Sequence, residues 1–221
     1  MTEKTAPARI RYDECCLAAH ALNLIGDRWA LLVARELMFA PKRFQMIRAG
    51  VPSITASVLT ARLGQLQHAG VVEHEERLGT YALTRAGQEL LPVLESLCRW
   101  ALTVPGHDPG RFISPSALMI SMGVNLRRGR ARGRDASGGF DFGREAFEAR
   151  LSSGRLQTTA VIRPQTPFVL AGSGNALARA VYGSEELPVL VKHGVIRVEG
   201  EIAAAQAFVD LFGLEVHPHG A

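Results

Sequence analysis

A run of polar side chains beginning at residue 55 is the strongest candidate for chemistry in this sequence. Its members are Thr55, Ser57, Thr60, Arg62 and Gln65. Their hydroxyl, guanidinium and amide groups can bond phosphate oxygens or the edges of bases, so we expect them to contact DNA. The alternative is that Thr55 only caps a helix and that Arg62 only pairs with a nearby carboxylate.

Basic residues elsewhere in the chain could support such contacts. Lys42 and Arg43 could clamp a phosphate or form a solvated turn, and Arg77 lies near the tip of a predicted hairpin. Five arginines and three small residues make up the run from 127 to 134. This run could bind the DNA backbone, but a solvated loop or strand edge is the favoured interpretation.

Two further groups of residues suggest other chemistry. Cys16 would be reactive only if its thiol were exposed and its pKa lowered, and otherwise it is an inert packed thiol. Six phenylalanines in the second half of the chain could line a cavity for an apolar ligand, with core packing as the alternative. They are Phe140, Phe142, Phe147, Phe168, Phe208 and Phe212.

The sequence lacks the common signatures of enzymes. It contains no GxSxG, HExxH or P-loop motif and no GxGxxG after a strand, so we expect neither catalysis nor a cofactor. Three cysteines without a CxxC pair also argue against a disulfide framework and against a metal site.

The first half of the chain reads as the scaffold that positions the polar run. The predicted order is helix, helix, short helix, capped helix, two-stranded ribbon and long helix. Leu59, Leu63 and Leu66 recur at helical spacing behind the polar run, and Gly70 ends that helix. This order predicts a winged helix-turn-helix over residues 1–104, with the helix after Thr55 in a major groove.

The second half of the chain has a different pattern. Residues 105–111 are rich in proline and glycine, which predicts a linker. Short alternating strands and capped helices follow, so residues 112–221 read as an α+β domain with a curled, mainly antiparallel sheet. The chain as a whole is therefore predicted to be α+β with two domains.

Composition is that of a globular protein. Apolar residues make up 47% of the 221 residues, and the net charge of +4 is compatible with nucleic acid without demonstrating it. No apolar run reaches the ~18 residues of a membrane span, and no secretory signal is visible. We therefore expect a cytoplasmic protein without membrane contact.

The first half resembles the HxlR-type winged helix-turn-helix family, which is related to the MarR regulators. The resemblance rests on segments that begin at Cys16 (CLAAHALNLIGDRW), Thr55 (TASVLTARLGQL), Ala69 (AGVVE) and Tyr81 (YALTRAGQELLP). Leu17 and Ala56 stand where the family usually has proline, and the wing is short. The resemblance implies a transcriptional regulator that binds double-stranded DNA as a homodimer through its terminal helices. It also implies that Cys16 stands at a position that some members use to sense electrophiles or oxidants.

The second half resembles the sterol-carrier-protein fold, mainly over residues 173–212 and the VIRVEG stretch. This resemblance implies an apolar cavity and a hydrophobic small-molecule effector. The alternative is a small-molecule carrier or sequestering protein whose winged domain acts mainly in dimerisation.

Overall fold

The computed structural model describes residues 11–214, and its first part is a winged helix-turn-helix. The helices of this N-terminal unit are α1 (Leu17–Ile25), α2 (Ala30–Glu36), α3 (Phe44–Gly50), α4 (Ala56–His68), α5 (Arg85–Gln88) and α6 (Leu91–Ala101). Its strands are β1 (Lys42–Arg43), β2 (Val72–Glu75) and β3 (Thr80–Leu83), and they form an antiparallel sheet in the order β1-β3-β2. The predicted order of four helices and a two-stranded ribbon is thus confirmed, and the two-residue strand β1, which joins the ribbon as a third strand, was not predicted.

Local sequence signals explain the boundaries around α4. The Thr55 hydroxyl accepts a hydrogen bond from the backbone N–H of Val58 at 3.3 Å and so caps the helix. Gly70 follows the helix in the left-handed region, with φ of 69°. The buried side of α4 consists of Leu59, Leu63 and Leu66 together with Arg62.

The predicted long helix after Thr84 is divided in two. Thr84 accepts a hydrogen bond from the Gly87 N–H at 3.1 Å, as its capping role requires. The helix stops at Gln88 and restarts as α6, with Pro92 in its first turn. Proline has no N–H to donate and fits the first turn of a helix, so Pro92 favours a new start there.

The C-terminal unit is an α+β layer structure. Its helices are α7 (Pro115–Val124), α8 (Arg128–Ala131), α9 (Gly174–Tyr182), α10 (Leu187–Lys192) and α11 (Ile202–Val209). Its strands are β4 (Ala136–Asp141), β5 (Ala146–Ser152), β6 (Arg155–Val161), β7 (Phe168–Ala171) and β8 (Arg197–Gly200). They form one sheet in the order β6-β5-β4-β7-β8, in which only the β4–β7 pair is parallel.

The segment from 127 to 134 differs from its prediction. Instead of a loop or strand edge it contains the short helix α8, and Ala131 is fully buried in the core. The Arg130 guanidinium donates to the backbone carbonyl of Asp210 at 3.1 Å. This arginine therefore helps to hold the end of the C-terminal unit.

The two units share a packed boundary. Ile120 of α7 belongs to the core of the N-terminal unit, and the rings of Phe39 and Phe147 meet edge to face at 5.7 Å. Residues 105–111 lack helix and strand, but they do not separate the units. The ends of the two predicted domains, residues 1–10 and 215–221, lie outside the described residues.

A buried charge cluster lies at this boundary. It consists of Arg35, Glu36 and Lys42 from the N-terminal unit and Ser114, Ser116 and Glu145 from the C-terminal unit. The Glu36 carboxylate is fully buried and accepts from the Ser114 hydroxyl at 2.6 Å and from Lys42 Nζ at 3.4 Å. Lys42 Nζ also lies 2.5 Å from a Glu145 oxygen and 3.0 Å from Ser116 Oγ.

The cluster is electrically balanced and closely packed. Two carboxylates face two cations, because Arg35 Nη2 also lies 2.8 Å from Glu36 Oε1. The Glu36 carboxyl group lies against Gly50, where a β-carbon would collide with it. The cluster thus explains why residue 50 is a glycine and how the start of α7 is fixed on α2.

Among residues 11–214, no helix combines the length and the apolar character needed to cross a membrane.

Replacing Lys42 with methionine should lower the free energy of unfolding by about 3–5 kcal/mol, because it leaves buried carboxylates without a cation. Denaturant unfolding followed by circular dichroism measures the change. Lys192→Met, at an exposed lysine in α10, is the matched control and should have little effect. Equal stability of the two variants would contradict a structural role for the cluster.

Candidate nucleic-acid interface

The exposed side of α4 carries small and polar side chains. Thr55, Ser57, Thr60 and Gln67 are exposed, and Ala56, Ala61 and Gly64 between them add little bulk. A side of this kind allows the helix backbone to approach a phosphate chain or the floor of a groove closely. Three of the five predicted contact residues in this run therefore lie together on one accessible surface.

The hydroxyl groups at the start of α4 have a defined hydrogen-bonding capacity. Thr55 Oγ1 and Ser57 Oγ lie 3.2 Å apart, and one proton suffices for the bond between them. The other hydroxyl proton is then available to a phosphate oxygen. The Thr60 hydroxyl donates to the Ala56 carbonyl at 3.0 Å, so its oxygen remains an acceptor for an exocyclic amino group of a base.

Arg62 does not lie on that surface. It is buried, and its Nη2 lies 2.6 Å from Asp27 Oδ2, while its Nη1 donates to the side-chain oxygen of Gln65. Asp27 Oδ1 in turn accepts from the Trp29 N–H at 2.8 Å, next to the start of α2. The expectation that Arg62 contacts DNA is corrected, because its guanidinium holds α4 to the turn between α1 and α2. Gln65 is partly exposed, and its contact with DNA stays a prediction.

Lys42 and Arg43 point in opposite directions. Lys42 is 2% exposed and bound in the buried charge cluster, so its prediction as a phosphate contact is wrong. Arg43 is exposed and pairs in the sheet with Thr80, which lies next to the turn at the tip of the wing. The alternation of side chains along β1 separates the two, and only Arg43 can meet a phosphate.

The wing is acidic. Arg77 is exposed at its turn, as predicted, but Glu73, Glu75 and Glu76 are exposed beside it. The Glu75 carboxylate accepts from the Arg77 backbone N–H at 3.2 Å and so shapes the turn. Three carboxylates and one arginine give this part of the wing a negative charge. This charge disfavours insertion of the wing into the minor groove of DNA, where the electrostatic potential is negative.

Two exposed residues extend the candidate surface beyond the sequence prediction. Gln67 lies on the accessible side of α4, and Arg48 lies in the last turn of α3, the first helix of the helix-turn-helix. Helical periodicity through Thr60 could have identified Gln67, which is seven residues further on. No comparable pattern in the sequence pointed to the role of Asp27, because its partner Arg62 is 35 positions away.

The phenylalanines of the second half fill the core. All but Phe142 are buried, and the Phe208 ring contacts those of Phe140, Phe168 and Phe212 at centroid distances of 5.4–6.3 Å. Phe142 meets Phe147 edge to face at 5.8 Å. The prediction that these rings line a ligand cavity is therefore replaced by the alternative of core packing.

Cys16 is exposed immediately before α1, beside the equally exposed Cys15. The backbone N–H groups of Ala19 and Ala18 lower the pKa of the Cys16 thiol. Burial raises the pKa of the Cys98 thiol. Cys16 thus has the exposure and the lowered pKa that thiol reactivity requires, and a sensing role stays a prediction.

No group of three or more histidine, cysteine or carboxylate side chains suited to a metal ion occurs within residues 11–214.

Comparison with known proteins places the similarity in the N-terminal unit. Residues 24–107 match the family described as HxlR-like helix-turn-helix. An uncharacterized HTH-type transcriptional regulator of Methanothermobacter thermautotrophicus is 32% identical over 98 residues, which are 42% of this chain and 75% of that protein. The HTH-type transcriptional regulator YodB of Bacillus subtilis is 34% identical over 92 residues, 39% of this chain and 82% of that protein.

One solved structure aligns with most of the chain. It is that of the inverting sec-alkylsulfatase Pisa1 from Pseudomonas sp., at 18% identity and a TM-score of 0.42, over 88% of this chain and 29% of that one. A likeness of this size supports no conclusion on fold or activity. The predicted sterol-carrier-like fold of the C-terminal unit remains a prediction.

Alkylation by iodoacetamide should modify Cys16 faster than Cys15 and Cys98 between about pH 6 and 8, because the lowered pKa gives Cys16 the larger thiolate fraction. Peptide mass spectrometry resolves Cys16 from Cys15 when Cys15→Ser and Cys16→Ser variants are compared. Indistinguishable rates at these neighbouring cysteines across the pH series would show that the start of α1 does not activate the thiol.

Proposed function

This chain belongs to the HxlR-like helix-turn-helix family and is a transcriptional regulator of that type, and from this premise we propose that it binds specific DNA sequences as a homodimer. The observation that carries the proposal is the accessible polar side of α4. Thr55, Ser57, Thr60 and Gln67 form the contact surface, with Arg43, Arg48 and Arg77 on phosphates.

The recognition helix α4 would contact the bases mainly through uncharged side chains. Thr60 can accept from an adenine or cytosine amino group, and its methyl group can contact a thymine methyl. Arg43 and Arg48 flank the helix and would fix its register on the backbone, without sequence preference of their own. The acidic wing would stay outside the minor groove, so specificity would come from α4.

Exposed apolar side chains on α6 support a homodimer. Val93, Leu97 and Trp100 recur at i, i+4 and i+7 on α6, and Val104 follows the end of the helix. Each of the four side chains is at least 40% exposed. Leu17 and Leu22 of α1 are also exposed, at 85% and 53%. Covering such a stripe with a second copy removes apolar area from water, which is the main driving force of association.

Control by a small molecule would act through the buried charge cluster. Ser114 and Ser116 at the start of α7 bind Glu36 and Lys42, and α7 also packs beside α6. A ligand that preferred one position of α7 would shift the spacing of the two recognition helices. The C-terminal unit would then be the regulatory part of the molecule.

The double variant Ser57→Ala, Thr60→Ala should weaken binding to a selected operator by about tenfold or more, since base-edge hydrogen bonds are lost in both half-sites. The operator is first obtained by selection from random duplexes, and affinity is then measured by fluorescence anisotropy at two salt concentrations.

Arg43→Ala and Arg155→Ala are the comparison variants for that experiment. Arg43→Ala should weaken binding to operator and random DNA alike and reduce the salt slope, because it removes one phosphate contact per protomer. Arg155→Ala, on an exposed strand of the C-terminal unit, should bind as the unmodified protein does. A double variant with full operator affinity would exclude α4 as the reading surface, and no salt-dependent binding at all would favour the carrier alternative.

Leu97→Glu should convert the dimer to a monomer, because it places a carboxylate within the apolar stripe of α6. Sedimentation equilibrium measures the change in mass. Val189→Glu alters an exposed valine of α10 and serves as the matched control that keeps the dimer. A Leu97→Glu protein that remained dimeric would move the interface away from α6.

A further inference from the structure

A cavity of about 870 Å³ lies between residues 106–113 and the helices α7 and α9. This volume falls within the range of roughly 300–1,000 Å³ that small-molecule sites occupy. Its apolar lining includes Phe112, Ile113, Ala178 and Leu214, and its polar side chains include Ser121 and Tyr182. None of the six phenylalanines predicted to bind a ligand lines it.

The wall formed by residues 106–113 is held in place by one side chain of α9. Asn175 Oδ1 accepts from the Ile113 N–H at 3.2 Å, and its Nδ2 donates to the Arg111 carbonyl at 2.8 Å. These two bonds join the connecting segment to α9 from both directions. The cavity is therefore formed in the folded protein and does not depend on a ligand to create it.

A chain of hydrogen bonds ends at the cavity. Asn125 Nδ2 donates to Ser121 Oγ at 3.1 Å, and Ser121 Oγ lies 2.9 Å from the Tyr182 hydroxyl. When the Ser121 proton is directed to the Tyr182 oxygen, the phenolic proton is available to a guest. Burial raises the pKa of Tyr182, so the phenol stays protonated and can donate.

Each of the two arginines at the rim has a carboxylate partner. Arg179 is paired with the carboxylate of Glu185, and Arg111 Nε lies 3.3 Å from Asp108 Oδ2. An acidic guest would have to compete with these carboxylates, and a basic one would meet the two guanidinium groups. The lining therefore favours a guest without a net charge.

We propose that this cavity binds an uncharged, mainly apolar small molecule whose carbonyl-type oxygen accepts a hydrogen bond from the Tyr182 hydroxyl. The apolar body would lie against Phe112, Ile113 and Ala178. A role of this cavity in regulation rests on the proposed function. Ser121 lies on α7, and the first turn of that helix reaches Glu36 and Lys42. Occupancy of the cavity would act on the position of that helix.

Two probes of nearly equal shape test the site in the whole 221-residue chain without DNA. 2-Acetylnaphthalene carries a carbonyl oxygen, whereas 2-ethylnaphthalene has the same aromatic body and no acceptor. Affinities are measured by ligand-observed NMR on the unmodified protein and on Tyr182→Phe, Ala178→Trp and Tyr81→Phe. Tyr81 lies on the wing strand β3 and gives a matched tyrosine control.

The ketone should bind the unmodified protein roughly two- to tenfold more tightly than the hydrocarbon, the value of one net hydrogen bond. Tyr182→Phe should remove this preference and leave hydrocarbon binding unchanged. Ala178→Trp should weaken the binding of both probes, because its ring would occupy the place of the apolar body beside Phe112 and Ile113, and Tyr81→Phe should behave as the unmodified protein. Ala178→Leu replaces the tryptophan variant if circular dichroism shows that the latter is unfolded.

Three results would overturn the proposal. They are no binding of either probe, full binding in a folded cavity-filling variant, and a ketone preference that persists in Tyr182→Phe. Because the experiment contains no DNA, these results are independent of operator binding. A protein that binds the ketone but no operator would retain the cavity assignment and would refute the proposed regulator instead.

Discussion

The fully buried carboxylate of Glu36 is the constraint around which the two units are arranged. Burying an unpaired carboxylate costs several kcal/mol, so its surroundings must supply cations and donors. Arg35 and Lys42 supply the charge, Ser114 donates a hydroxyl, and Glu145 balances the second cation. Because these residues come from both halves of the chain, satisfying one carboxylate fixes α7 and the β4–β5 turn against the helix-turn-helix.

A second ion pair performs the same task for the recognition helix. Asp27 holds Arg62 and also receives the Trp29 N–H, so one side chain links the start of α2 to the middle of α4. The basic residues of this domain are thus divided between two tasks. Lys42 and Arg62 maintain the architecture, whereas Arg43, Arg48 and Arg77 remain at the surface. Affinity for DNA would depend on few charges and on the fit of α4.

Local signals made the N-terminal fold predictable from sequence. The Thr55 cap, the leucines of α4, Gly70 and the Thr84 cap each act within a few residues, and each appears in the structure as expected. The roles of Lys42 and Arg62 were not predictable in this way. Their partners Glu145 and Asp27 are 103 and 35 positions away, and an isolated basic residue near a turn has the same pattern whether it is buried or solvated. The core position of the phenylalanines likewise depends on contacts between distant strands and helices.

Site-specific cross-linking to DNA tests the central claim most directly, that the accessible side of α4 reads the operator. A benzoylphenylalanine at position 60, at position 67 or at position 155 is irradiated in the presence of the selected operator duplex. The predicted result is cross-linking from positions 60 and 67 to bases of the operator, with no cross-links from position 155. Cross-links confined to position 155, or none from α4 on an operator that the protein still binds, would contradict the account.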